Sequence, residues 1–213
     1  MSEYYIPAGA GESEFTEKRS RFLGHIRMVE SEDEARAFIA EMKKKYYDAR
    51  HNCWCYSIRG GAERYSDDGE PQGSAGIPML EVLRRQNVTN AVCVVTRYFG
   101  GVLLGTGGLL RAYTRSTADA LQAAGISVVR RWVETELPCT YALMERMKLE
   151  AAAAGGIVAD TVYGADVTLR VLVPEERSEA FAARIFDQSA GSVKVRVTGE
   201  SFRAVPLSGG MKE

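Results

Sequence analysis

The feature that most constrains the fold is an uninterrupted apolar run, Ala91 to Thr96, in which valine is the commonest residue. Such a run is typical of a strand buried inside a sheet, because a strand with one face in water alternates apolar and polar residues. A glycine-rich turn follows it and leads into a predicted helix from about Thr106 to Ala124, which Gly125 ends. The run therefore predicts a central strand in a domain of class α+β.

The rest of residues 1–130 supplies further elements, and we predict one domain with a mixed sheet over this range. Ser31 and Glu34 form a capping box, and apolar residues at helical spacing extend the predicted helix to about Lys45. A polar loop, Gly60 to Ala75, precedes a short helix from about Ile77 to Gln86. The other predicted strands are Tyr4–Pro7, Phe15–Lys18, Arg21–Val29 and Asn52–Arg59.

Residues 131–213 read as a second domain in which strands and helices alternate. The order is strand, helix, strand, strand, helix, strand, which is the ferredoxin-like βαββαβ plan. That plan hosts many roles, so the fold alone supplies no function. The predicted strands are Trp132–Leu137, Ile157–Tyr163, Val167–Val173 and Val193–Phe202, and the predicted helices are Tyr141–Ala154 and Pro174 to about Asp187.

Charge and composition exclude several classes of protein. Lys plus Arg number 27 and Asp plus Glu 28, a net charge of -1 that excludes a uniformly basic nucleic-acid coat protein. No apolar run approaches the roughly 18 residues of a membrane helix, and the N-terminus lacks a signal-peptide pattern, so we expect a cytoplasmic protein. With 4 cysteines and 2 histidines in the chain, we predict buried reduced thiols, no metal site and no cofactor.

The sharpest functional signal is the stretch from Thr96 to Tyr113, where a buried strand ends in a basic, aromatic turn rich in glycine. Glycines let the backbone approach an anion, and free N–H groups at a helix start favour negative charge. The Walker and dinucleotide patterns are absent, since Leu109 and Leu110 occupy required positions. The alternative is a tight strand-to-helix connection. The candidate anion- or nucleic-acid-binding residues are Arg50, His51, Arg97, Tyr98, Gly100, Gly101, Gly105, Gly107, Gly108 and Arg111.

A second polar stretch, Ser66 to Gly76, places three carboxylates within four residues: Asp67, Asp68 and Glu70. Because hard cations such as Mg²⁺ prefer oxygen ligands, these are candidates for an acid–base or metal role. Two alternatives stay open. The segment is a turn, since Asp-Gly is a turn signal, or its carboxylates form ion pairs with Arg50 or Arg97.

A third polar stretch, Asp48 to Asn52, places His51 at the start of a predicted strand. With Asp48 or Asp67 to orient it, His51 is a candidate general base. The alternative is a hydrogen-bonded structural or binding residue, and no nucleophile elbow accompanies it.

Taken together, these stretches resemble the IMPACT/YigZ family. The matching segments are Lys18–Phe22, Asp48–Cys53, Ser66–Pro71 with Gly73 and Ala75–Gly76, and Val95–Gly101 with Leu104–Leu109. The resemblance is strong over about residues 15–120, and the second domain matches the bacterial two-domain members.

The resemblance implies a first domain with the ribosomal protein S5 domain 2-like fold, followed by a ferredoxin-like domain. That pair is similar in plan to the last two domains of elongation factor G, which suggests a role at the ribosome or on RNA. Eukaryotic relatives regulate translation by binding a large activator of a stress kinase, through a chain whose N-terminal domain differs. That partner is therefore not transferred, and the resemblance brings no catalytic residues.

These observations favour a non-enzymatic, cytosolic binding protein that contacts RNA or the ribosome and regulates translation. The first alternative is an enzyme that acts on a phosphorylated small molecule or nucleotide. The second is a protein-interaction adaptor with a protein partner. No membrane partner is expected, and the sequence leaves the oligomeric state open.

Overall fold

A computed structural model describes residues 3–207, which form two compact units, one mainly from residues 4–128 and one mainly from residues 129–203. The elements of the first unit are β1 (Tyr4–Pro7), β2 (Gly11–Glu17), β3 (Ser20–Met28), α1 (Glu32–Lys45), β4 (His51–Ser57), β5 (Glu63–Ser66), α2 (Gly76–Arg85), β6 (Ala91–Tyr98) and α3 (Thr106–Ala124). The elements that follow are β7 (Ile126–Cys139), α4 (Tyr141–Ala153), β8 (Ile157–Tyr163), β9 (Val167–Pro174), a 3-10 turn (Glu175–Arg177), α5 (Ser178–Gln188) and β10 (Arg196–Pro206).

The sheet of the first unit has the order β2-β3-β6-β4-β5, with the apolar run of β6 at its centre, as the sequence predicts. Every neighbouring pair in it is antiparallel, so the prediction of a mixed sheet is wrong. The helical connection through α1 does place β3 and β4 parallel to each other, but β6 lies between them and pairs antiparallel with both.

The alternation of β6 explains why the run is apolar throughout. Val92 and Val94 pack on the α1 side of the sheet with Phe38 and Met42. Cys93 and Val95 belong to the larger core on the opposite side, which α2 and α3 cover. Both faces of the central strand are therefore buried, as expected for a strand between two helical layers.

The second unit has the ferredoxin-like strand order β10-β7-β9-β8, and β9 pairs antiparallel with both β7 and β8. Its core is formed by one face of these strands together with α4 and α5, with Leu137, Leu169, Met147, Phe181 and Ile185 among the buried residues. The α+β class and the βαββαβ order predicted from the sequence are confirmed. Among the helices within residues 3–207, none is long and apolar enough to cross a membrane.

Candidate functional site

All three polar stretches of the sequence meet at one end of the first sheet. Because β6 is antiparallel to β3 and β4, the end of β6 lies beside the starts of both neighbours. Phe22 and His51 are the cross-strand partners of Arg97, and Arg21 is the partner of Tyr98. We call this region the sheet end; it comprises residues 18–21, 48–52 and 97–101, the loop 66–76 and the first two turns of α3.

A buried ion pair between Arg97 and Glu70 forms the centre of the sheet end. Arg97 is 5% and Glu70 8% exposed, and Nη1 of Arg97 donates to Oε1 of Glu70 at 2.7 Å. The hydroxyl of Tyr113 donates to the same carboxylate oxygen at 2.8 Å. Nη2 of Arg97 donates to Oγ of Ser20 at 3.3 Å. Hydrogen bonds of this kind allow a charge pair to be buried. The network around Arg97 and Glu70 joins β3, β6, α3 and the 66–76 loop.

The same contacts determine which protonation states are available. Burial raises the pKa of Tyr113, with nearby Cys53 and Glu70 adding to the effect, so the phenol stays protonated and serves as a donor. Burial likewise raises the pKa of Cys53, whose thiol donates to the Asp67 carbonyl at 2.9 Å. Since a thiolate is the reactive form of cysteine, Cys53 is a poor nucleophile in this position.

Glycines at the sheet end meet packing and conformational requirements. A Cβ on Gly100 would lie 2.0 Å from the carbonyl carbon of Arg19, so only glycine fits against the turn between β2 and β3. The Gly100 N–H donates to Oγ of Ser20 at 3.2 Å. Gly101 and Gly105 have φ of 83° and 74°, which favour glycine. The tight-connection alternative therefore explains these three glycines without a ligand.

Two glycines differ, because they lie inside the first turn of α3. A Cβ on Gly107 would meet only Nη1 of Arg111, at 3.7 Å, which is ordinary contact. A Cβ on Gly108 would lie 3.0 Å from Cβ of Leu104. The helix begins at Thr106, and its N-cap residue, Gly105, provides no side-chain cap.

The carboxylates of the 66–76 loop are occupied by donors of the protein. Oδ1 of Asp67 accepts from the backbone N–H groups of Ala75 and Gly76, and its Oδ2 accepts from that of Gly73. Oδ1 of Asp68 accepts from Nζ of Lys43 at 2.7 Å, and its Oδ2 accepts from the Asn52 N–H at 2.8 Å. Within residues 3–207 no group of three or more His, Cys, Asp or Glu residues is placed to hold a metal ion. For Glu70, the structure matches the alternative of an ion pair with Arg97.

His51 is 9% exposed and is held by the same loop. Its Nδ1 lies 2.9 Å from the carbonyl oxygen of Asp68, which can only accept, so Nδ1 carries the proton. Its Nε2 lies 4.0 Å from Oε2 of Glu70. Asp68 adopts a left-handed φ of 42°, and the His51 contact helps to hold that turn. These contacts match the structural alternative for His51.

Exposed cations surround the buried network. Lys18, Arg19, Arg50 and Arg111 are exposed, and none has an ion-pair partner among residues 3–207. A cleft of about 240 Å³ lies between α3 and the β2–β3 turn, with Phe15, Glu17, Lys18, Leu104, Gly108, Arg111, Ala112 and Arg115 along its walls.

The loop after β6 adds exposed aromatic and aliphatic groups to the same surface. Phe99 is 43% and Leu103 81% exposed. The hydroxyl of Tyr98 donates to Oδ1 of Asp48 at 2.8 Å, which holds the Tyr98 side chain beside the segment that precedes β4. The candidate binding residues thus form two groups. Arg97 and His51 are buried, whereas Arg50, Arg111 and the loop after β6 are exposed to solvent. The contribution of Lys43 was missed, because its sequence context is that of a solvated helix end.

Two family models match the chain. The Impact N-terminal domain matches residues 18–121, and a domain of unknown function, DUF1949, matches residues 137–192. The first match spans every residue of the buried network.

Individual relatives match along most of the chain. The IMPACT family member YvyE of Bacillus subtilis is 33% identical over 198 residues, covering 92% of this chain and 91% of the relative. The IMPACT family member YigZ of Escherichia coli is 33% identical over 199 residues, covering 92% and 98%. A crystal structure of a hypothetical protein, 32% identical, superimposes with a TM-score of 0.59 over 93% of this chain and 98% of that one.

Proposed function

The chain belongs to the IMPACT family, and from this premise we propose that it is a cytosolic, non-enzymatic binding protein that contacts RNA or the ribosome and regulates translation. The sheet end of the first unit supplies the contact surface. Its unpaired cations meet phosphate groups, and its exposed aromatic side chain adds stacking.

One observation carries this proposal: the acidic residues of the sheet end are engaged internally, whereas several of its basic residues are not. Asp67, Asp68 and Glu70 each accept hydrogen bonds from the protein. Arg50 and Arg111 are exposed and have no ion-pair partner within residues 3–207. The local charge that faces solvent is therefore more positive than the net charge of -1 indicates, which favours an anionic partner.

The same contacts weigh against the enzymatic alternative. A general base needs access to a substrate proton, but His51 is 9% exposed, and its unprotonated Nε2 faces the buried Glu70, 4.0 Å from Oε2. Asp67 is occupied at both carboxylate oxygens, since Oδ1 holds the start of α2 and Oδ2 holds Gly73 in the preceding loop. A binding role requires only the exposed residues around them.

The direct test is RNA and ribosome binding as a function of salt. We expect affinity for RNA to fall steeply between about 50 and 200 mM salt, because phosphate contacts release counterions. Arg50→Ala and Arg111→Ala should each lower the salt slope by about 0.7 to 0.9 for one lost phosphate contact. Arg196→Ala is the matched control, since Arg196 is also exposed and has no ion-pair partner among the described residues but lies in the second unit.

Binding that is independent of salt, or equally affected by Arg196→Ala, would contradict the proposed surface. The adaptor alternative has one observation in its favour, the exposed aliphatic tip formed by Val102 (39%) and Leu103 (81%). Capture of a protein partner that survives nuclease treatment and is lost with Leu103→Ser would favour that alternative over RNA.

A further inference from the structure

A second groove lies on the opposite face of the first sheet, between α1 and the strands β4 and β5. Its walls are formed by Arg36, Ile39, Ala40, Lys43, Trp54, Tyr56 and Arg64, and its volume is about 450 Å³. The side chains of His51 and Arg97 lie on the face of the sheet that α3 covers, because they point in the same direction as those of Cys53 and Val95, which belong to the core on that face. Trp54 and Tyr56 point the other way and pack against the α1 cluster.

The floor of this groove is aromatic. The Trp54 and Tyr56 rings are nearly parallel, with an interplanar angle of 7° and centroids 5.7 Å apart. Tyr56 is almost fully buried at 2% exposure, and its hydroxyl donates to Glu32 at 2.7 Å. Trp54 is only partly buried, so its indole remains available to a ligand. Flat aromatic surfaces of this kind bind the π-face of any nucleobase.

Three cations line the rim of the groove. Arg64 is the cross-strand partner of Tyr56 and is exposed, and among residues 3–207 its guanidinium donates only to the backbone carbonyl of Glu63. Arg36 and Lys43 contact Glu32 and Asp68 through side chains that are 68% and 42% exposed. The longer pair, Arg36–Glu32 at 3.4 Å, contributes about 0–1 kcal/mol at this exposure, so a phosphate can replace Glu32 as the partner of Arg36 at small cost.

From this combination we propose that the groove binds a nucleotide of single-stranded RNA, with the base stacked on Trp54 and the phosphate held by Arg64 and Arg36. This inference rests on the proposed RNA role but not on the sheet-end surface. A base that stays stacked in a duplex has no free face to present to the aromatic floor, whereas an unstacked base exposes both faces. The groove therefore selects single strands, while the sheet end contacts the backbone of either form.

The test compares a short polyuridine strand with an RNA duplex, using the full chain. Trp54→Leu keeps an apolar side chain but removes the aromatic face, and we expect single-stranded affinity to fall about tenfold with duplex affinity unchanged. Trp54→Phe, the matched control, should retain most of the affinity. Arg64→Ala should reduce the salt slope for the single strand by about 0.7, and Arg196→Ala should leave it unchanged.

Fluorescence gives a readout that a purely structural role of Trp54 would not produce. The chain has 2 tryptophans, and Trp132 is 3% exposed, so quenching of indole emission by the bound strand reports on Trp54. We expect quenching with the single strand and none with the duplex. A thermal melt of each variant establishes that the fold is retained.

The outcomes separate this inference from the proposed function. If Trp54→Leu binds both RNAs normally while Arg111→Ala weakens both, the groove proposal is overturned and the sheet-end surface stands. If Trp54→Leu abolishes single-stranded binding while Arg111→Ala has no effect, the groove stands and the sheet-end surface does not. Uridine monophosphate binding as tightly as the strand would also overturn it, because the occupant would then be a free nucleotide.

Discussion

The two units use the same charged residue types in opposite ways. In the first unit, Arg97 and Glu70 are both less than a tenth exposed and form part of a buried hydrogen-bond network. In the second, Arg170 lies between Glu136 and Asp160 on the surface, with its side chain 55% exposed. A buried charge without its partner is costly, while an exposed pair contributes little. The same residue types therefore form a buried structural pair at the sheet end and solvent-facing pairs around Arg170.

The largest effect we expect is from Glu70→Ala, which leaves the Arg97 guanidinium buried without its counter-charge. The free energy of unfolding should fall by about 3–5 kcal/mol, measured by urea denaturation. Glu136→Ala is the matched change in the second unit and should cost less than about 1 kcal/mol. Equal losses in the two variants would remove the contrast between the units.

A smaller loss is expected from Tyr113→Phe, which removes one donor from the same carboxylate while Arg97 remains. Hydrogen bonds to charged groups contribute about 1.5–3 kcal/mol, so the unfolding free energy should fall by that amount. Tyr141→Phe in the second unit removes an exposed hydroxyl that donates to the Gly164 carbonyl at 2.9 Å. That control should stay within about 0.5 kcal/mol of the unsubstituted protein.

Gly100→Ala tests the backbone component of the network. The added methyl group would overlap Arg19, so we expect destabilisation of about 1–3 kcal/mol by overpacking. At Gly164, in the second unit, an added Cβ would meet its nearest atom at 3.4 Å. Gly164→Ala should therefore be neutral or slightly stabilising. Thermal melts of both variants measure the difference, and a destabilisation by Gly164→Ala as large as that by Gly100→Ala would contradict the packing argument.

The smallest effect that we expect is a change of the unfolding free energy with pH. Both histidines of the chain, His25 and His51, lie in the first unit. Burial lowers the pKa of His25, against a raising effect of Glu12, while Lys45 reinforces the lowering. The unfolded chain then binds a proton more readily than the folded one, so stability should decrease as pH falls through about 6.5. His25→Gln should flatten the pH dependence of the unfolding free energy over this range; an unchanged slope would exclude His25 as its source.

Much of the fold was accessible from the sequence because its strongest elements have unambiguous patterns. β6 is apolar on both faces, and α3 has a clear end at Gly125, so both were predicted close to their observed bounds. The βαββαβ order of the second unit follows from regular alternation and was also confirmed. In these cases local pattern and tertiary environment require the same structure.

Two features of the first sheet could not be read locally. β5, Glu63–Ser66, lies inside the loop predicted from Gly60 to Ala75. It was not predicted as a strand because the sequence Glu, Arg, Tyr, Ser of this exposed edge strand has no apolar alternation. The mixed sheet was wrong because a helical connection predicts parallel strands but not which strand lies between them. Sheet order depends on long-range pairing, which no single segment encodes.

The candidate site shows the same division. The polar stretches contain Arg97, Glu70 and His51, and an ion pair with Arg50 or Arg97 was one of the alternatives for the carboxylates. What the sequence did not reveal is that Arg97 is 5% exposed, since an arginine after a strand is usually solvated. The groove around Trp54 was missed for a related reason: its wall is β5, and without that strand Arg64 is only a loop residue.

The buried network also has a consequence for synthesis of the chain. Ser20 lies at the start of β3, whereas Tyr113 lies in the second turn of α3 and is 0% exposed in the folded unit. A nascent chain that has reached only β6 already contains Arg97 and Glu70 but lacks the phenol that completes their hydrogen bonds. The hydrogen bond from Tyr113 to Glu70 can therefore form only after α3 has left the ribosome, so the sheet end reaches its final state late in the synthesis of the first unit.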